Sequence, residues 1–248
     1  MAEHPDRLFP CYVLHRRDFG NTSLVVELFA QELGRIPALA KGAKQPRTPG
    51  AALLQPFRPL LIALSGRGEM RTLRRLEPGA TVPPLLGRAL YCGFYVNELV
   101  VRLLGRGDPH ERLFEYYGGT LGALAVDGDQ AAILRRFELR LLEEIGYALV
   151  LNRDVTSGEP LRPSARYRYD PERGPIGCGD QDPPGSIAGS TLLALAGDGD
   201  LEAAAAREAR DLMRRVLSHH LGGKPLKSRE LFGRPSGLDS TQPRTDPP

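Results

Sequence analysis

The chain has no tryptophan, and cysteine and methionine occur only three times each in 248 residues. Cys11, Cys92 and Cys178 are far apart and form no paired CxxC spacing, so neither a disulfide framework nor a zinc site is supported. No apolar run approaches the ~20 residues needed to span a bilayer, and a membrane partner is not expected. The N-terminus, Met1-Ala-Glu-His-Pro-Asp-Arg7, lacks a basic-then-apolar export pattern, so an intracellular location is expected.

Catalytic patterns are missing too, and no catalytic residue is assigned. Gly223-Lys224 is followed by Pro225 where a phosphate loop needs Ser or Thr, and Ser218 stands where the first glycine belongs. His219 and His220 are adjacent, so on a helix they point about 100° apart and do not share a metal. Asp127-Gly-Asp129 and Asp198-Gly-Asp200 lack the other oxygen ligands of a calcium loop and read as helix caps. Glu143-Glu144 reads as a solvated helix face. No cofactor is implied.

What is present is an uneven charge. The net +3 conceals an N-terminal third, residues 1–80, with twelve Lys and Arg against seven Asp and Glu. A second basic cluster, Arg214, Arg215, Lys224, Lys227, Arg229 and Arg234, meets only Glu230. Such asymmetry points to an anionic partner.

The same third is patterned as short strands. Tyr12 and Leu14, then Leu24, Val26 and Leu28, then Ile36, Ala38 and Ala40 recur with period two, separated by turns at 18–21 and 32–34. Segments 57–64 and 69–76 form a hairpin across Ser65-Gly-Arg-Gly68, and 43–49 is a polar loop. Five antiparallel strands in under 80 residues predict a small barrel of the OB type. Arg16, Arg17, Arg35, Lys41, Lys44, Arg47, Arg67, Arg71 and Arg74 lie in or beside these strands, many at ends and turns, where cations meet successive phosphates. Tyr12, Phe19, Phe29 and Phe57 are candidate base-stacking platforms; Phe29 and Phe57 are expected to be buried, Tyr12 and Phe19 more open.

Beyond Pro83-Pro84 the period becomes helical. Helices are expected over 89–104, 110–126, 130–149 (capped by Asp129) and 201–221 (capped by Asp200). Segment 152–189 is rich in Gly, Pro and Asp, and only Tyr167-Arg-Tyr169 suggests a strand. The fold class is therefore α+β: a five-stranded OB-fold barrel at 1–80, an α-helical domain at 81–150 and 190–234, an irregular connector without zinc at 151–189, and a disordered tail at 235–248. Arg135-Arg136, just before Phe137, forms a second candidate anion site.

Several blocks in order carry a resemblance. Tyr12-Val-Leu-His15, Thr22-Ser-Leu24, Gly34-Arg35, Ala40-Lys-Gly-Ala-Lys44, Leu54-Gln-Pro-Phe-Arg-Pro-Leu60, Gly66-Arg-Gly-Glu69, Tyr95-Val-Asn-Glu-Leu99, Arg135-Arg-Phe-Glu-Leu139, Ile145-Gly-Tyr147 and Leu221-Gly-Gly-Lys-Pro-Leu-Lys-Ser-Arg-Glu-Leu-Phe232 together resemble the bacterial RecO family. The resemblance implies a DNA repair and recombination mediator without catalytic turnover, in the cytoplasm at the nucleoid. Its implied partners are single- and double-stranded DNA, the acidic C-terminal tail of single-stranded-DNA-binding protein, RecR, in some members RecF, and RecA indirectly. Arg35, Lys41, Lys44 and Arg67 would face DNA, and Arg135, with Arg136 beside it, would meet the tail. Some members carry a four-cysteine zinc finger at the place of 150–190; only Cys178 remains here, so that segment must hold its shape otherwise or stay mobile. An adaptor with no direct DNA role is the alternative.

Overall fold

The computed structural model describes residues 7–46, 48–66, 68–126, 128–179, 181–197, 199 and 201–233. Arg47, Arg67, Asp127, Asp198, Asp200, Arg234 and the tail at 235–248 lie outside the described residues.

Strands β1 (Phe9–Phe19), β2 (Ser23–Ala30), β3 (Gly34–Ala40), β4 (Leu60–Ser65) and β5 (Arg71–Pro78) close into one barrel in the order β1-β2-β3-β5-β4. All pairings are antiparallel except β3 with β5, where Ala38 meets Arg71. This is the expected OB-type barrel. Leu24, Val26 and Leu28 on β2 and Ile36, Ala38 and Ala40 on β3 point inward as their period requires. A one-turn helix, α1 (Gly50–Leu53), follows the polar loop, and Leu54 behind it is fully buried in the barrel core.

The phase expected for β1 is inverted. Cys11 and Val13 enter the barrel, whereas Tyr12 and Leu14 pack on the helices. The strand is apolar on both faces because it lies between two cores, so alternation alone could not say which side was which.

The helical part comprises α2 (Gly87–Leu103), α3 (Glu111–Ala125), α4 (Gln130–Glu144), α5 (Gly189–Ala196) and α6 (Ala203–His220). Asp129 caps α4 as expected, its Oδ1 accepting from the Ala131 and Ala132 amides. Helix α4 stops five residues short of the expected 149. Gly146 sits at φ +85°, its amide bonding Glu143 O and that of Tyr147 bonding Leu142 O, the paired closure that ends a helix on a left-handed glycine. Helix α5 has no counterpart among the helices expected from the sequence.

The segment expected to be irregular is more ordered than its composition suggests. It holds a three-stranded antiparallel sheet of β6 (Arg166–Asp170), β7 (Gly174–Gly177) and β8 (Ile187–Ala188), in the order β7-β6-β8. Tyr167-Arg-Tyr169 lies in β6 as expected, whereas β7 and β8, four and two residues long, are too short to show a period.

Barrel and helices interlock. Tyr12 and Phe29 stack against Phe114 and Tyr117, with centroids 4.9–5.8 Å apart. The buried Asn97 donates to Leu14 O at 2.8 Å and accepts from the Tyr117 hydroxyl at 2.6 Å. At the other edge the Gly107 amide donates to Arg35 O at 2.9 Å. Residues 227–233 form a final 3-10 turn held on α2: Glu98 accepts from the Lys227 and Ser228 amides and from the Ser228 hydroxyl.

Candidate functional site

The structure divides the barrel's cations into two groups. Arg16 points to the α1 side and donates to Ala51 O at 2.8 Å and Leu54 O at 3.3 Å. Arg35 is mostly buried; it pairs with Glu27 and donates through Nε to Leu104 O at 3.0 Å. Both tie elements together. Arg17, Lys41, Lys44 and Arg74 are exposed, and Arg71 is half-buried. Lys44 Nζ lies 2.7 Å from Asp18, and its amide donates to Thr22 O, fastening the loop after β3 to the β1–β2 turn.

Strand alternation sets His15, Arg17 and Phe19 on one face of β1. His15 and Arg17 there edge a shallow groove with Val25, Pro37 and Met70. Two carboxylates also line it. Glu27 is matched by Arg35 and Arg106, while Glu69 is exposed. Of the four candidate stacking aromatics, Phe29 is buried, Tyr12 faces the helices and Phe57 packs on Phe94 at 5.1 Å. Phe19 stands out in solvent, 53% exposed.

A second site lies in the helical part. A cleft of about 450 Å³ is walled by α2, α4, α5, α6 and the final 3-10 turn. Among the described residues seven arginines line it: Arg88, Arg135, Arg136, Arg207, Arg210, Arg214 and Arg229. Its lining carboxylate is Asp129, already used in capping α4. Leu134, Leu139, Leu195, Leu201 and Phe232 supply an apolar floor and lip. Crowded guanidiniums over an apolar bed suit a short acidic peptide with a hydrophobic end.

The two expected arginines of this cleft are not equivalent. Arg136 is exposed. Arg135 forms a 2.5 Å ion pair with Glu138, which is fully buried and also accepts from the Tyr95 hydroxyl at 2.6 Å. Burial pushes the Glu138 carboxyl up, against Arg135 and Tyr95, which favour its charged form. Arg214 and Arg229 come from the second basic cluster of the sequence, whereas Arg88, Arg207 and Arg210 were not singled out there. The spacing of Arg207, Arg210 and Arg214, three and then four residues, was a legible sign of one basic helix face.

The small sheet hangs on carboxylates. Asp154 Oδ1 accepts from the Thr156 and Ser157 amides and Oδ2 from the Gly177 amide, joining the segment's two loops. Slight burial works against the charge, but these three amides outweigh it and lower the Asp154 pKa. Arg166 links the sheet to α6 through Glu208 and to Asp182 at 3.0 Å.

Profiles described as Recombination protein O N terminal and Recombination protein O C terminal match residues 6–81 and 87–230. DNA repair protein RecO of Nitrosospira multiformis is 49% identical over 226 residues, covering 90% of this chain and 93% of the relative. That of Methylococcus capsulatus is 49% identical over 222 residues, covering 89% and 90%, and that of Halorhodospira halophila 47% over 226 residues, covering 90% and 95%. The matches span both the barrel with its exposed basic face and the helical part with its arginine-lined cleft, and the chain belongs to the RecO family of DNA repair proteins.

Proposed function

We propose that the protein is a recombination mediator which holds DNA on its barrel and the acidic C-terminal tail of single-stranded-DNA-binding protein in the helical cleft. Complementary strands are thereby brought together and annealed. With RecR, and in concert with RecF where it is needed, the mediator helps load RecA onto the coated strand. Annealing makes and breaks no covalent bond; the protein screens phosphate repulsion and then releases a duplex, which favours moderate, salt-sensitive contacts.

The observation that carries this reading is the cleft: seven guanidiniums around an apolar floor, with one lining carboxylate among the described residues. A tail that is both acidic and hydrophobic at its end matches both features. On the barrel, Arg17, Lys41, Lys44, Arg71 and Arg74 supply the phosphate contacts, while Arg16 and Arg35 support the fold that presents them.

Fluorescence anisotropy with a labelled tail peptide tests the cleft. Arg136→Ala combined with Arg210→Ala weakens peptide binding roughly tenfold or more at low salt, and less as salt screens the pairs. Oligonucleotide binding by the same variant is retained. Equal loss of both would dismiss the two-site reading. Strand annealing with single-stranded-DNA-binding protein, intact and with its tail removed, tests the coupling; a tail-independent rate would leave the cleft without its proposed ligand.

A further inference from the structure

We infer that Phe19 is a base-stacking residue that gives the barrel a preference for unpaired DNA over duplex. The inference rests on the DNA-binding reading of the barrel and assigns a role within it.

A lone exposed phenylalanine is ordinary on a protein surface. Three features separate Phe19 from that case. It ends β1 at the β1–β2 turn, and Met70, 47% exposed, lies in the turn between β4 and β5. The same two turns flank the nucleic-acid face of OB barrels in general. The other three aromatics weighed for stacking are occupied within the protein, so Phe19 alone of them has an open ring face.

The turn is also held still. The Lys44 amide donates to Thr22 O at 2.8 Å and the Gly42 amide to Ser23 Oγ at 3.3 Å, while Lys44 Nζ closes on Asp18. Because the turn is held, only the side-chain torsions of Phe19 lose freedom when a base lies on the ring. That ion pair also neutralises the acid next to Phe19, and Arg17, Lys41 and the exposed Lys44 are the nearby cations for a backbone. A base stacks on the ring only if it is unpaired and turned out, which duplex DNA does not offer. Stacking ignores base identity, as a mediator acting on any sequence requires.

The absence of tryptophan makes a direct test available. In the full chain, Phe19→Trp introduces the only indole. Its emission is expected to be quenched on titration with oligo(dT), saturating with the binding curve. Phe19→Ala is expected to lower oligo(dT) affinity roughly 5- to 100-fold and to lower the single-strand to duplex affinity ratio. It leaves the salt dependence of oligo(dT) binding unchanged, because no phosphate contact is lost. Arg17→Ala instead reduces the slope of log affinity against log salt by about 0.7. If Phe19→Ala binds oligo(dT) like the wild type and the emission of Phe19→Trp ignores the oligonucleotide, while Arg17→Ala and Lys41→Ala weaken binding, stacking is overturned and the barrel reading stands. Equal loss toward single strand and duplex also overturns it. A wild-type protein that binds no oligonucleotide at low salt overturns both.

Discussion

Arg135 and Glu138 sit three residues apart on α4 and largely satisfy one another before any ligand arrives. Removing Arg135 therefore leaves a fully buried carboxyl without its cation, a change that costs on the order of 3 kcal/mol. Arg135→Ala is expected to lower the melting temperature at neutral pH, whereas Arg136→Ala leaves it unchanged. Thermal denaturation across pH checks the cause. A carboxyl whose folded pKa is raised destabilises the fold as pH rises above its unfolded value. The deficit of Arg135→Ala should thus shrink as pH falls toward the ordinary glutamate value of about 4.3. A deficit that does not vary with pH would point to packing instead. Sequence marked Arg135-Arg136 as one site because neighbouring cations look alike in a string. The i, i+3 position of Glu138 held the distinction, but its complete burial depends on how α4 packs on α2, which no local pattern encodes.

At the scale of elements, the sheet of β6, β7 and β8 shows a carboxylate holding two loops together. Partners of Asp154 come from both loops, and Asp182 and Glu208 hold Arg166 across to α6. The pKa of each of these carboxyls is lowered: slight burial opposes the charge on Asp154, and Glu208 is likewise opposed by burial, but hydrogen bonds prevail in both, while the Ser186 hydroxyl leads the lowering at Asp182. A depressed folded pKa adds stability that is complete above the unfolded value and is lost as pH falls through the folded one. The sheet is therefore expected to loosen below about pH 4, the ordinary carboxylate range. Amide exchange at Thr156, Ser157 and Gly177 follows this directly. Asp154→Ala should raise exchange there already at neutral pH, and unchanged protection would mean that packing alone holds the loops. The long elements were readable because periods of two and 3.6 had room to repeat. Of these strands only β6 was readable, through Tyr167-Arg-Tyr169; β7 and β8 were not, since their order comes from hydrogen bonds between loops distant in sequence.

Across the whole molecule, β1 belongs to two cores, and Asn97 and Arg35 bind barrel to helices at separate points. Gly34 lies at φ +65°, where a Cβ would come within 2.0 Å of Asp108 O. Gly34→Ala is expected to destabilise by about 2 kcal/mol or more. Because the junction is shared, barrel and helices should melt in a single calorimetric transition in the wild type; two separated transitions would show that the interlock is weak. Tyr12 and Leu14 had signalled apolar burial in the sequence, but not which of the two cores would receive them.

The walls of the arginine cleft come from widely separated stretches of chain, with Arg88 near the start of the helical part and Arg229 and Phe232 on the last turn. On the ribosome, the strands of the barrel emerge long before the cleft has its final wall. A nascent or clipped chain ending near the exposed Gly222 and Gly223 would carry every barrel cation and lack that wall. Such a chain would keep the cations proposed to hold DNA and lose the cleft proposed to take the acidic tail, so the two proposed sites are completed at different times during synthesis.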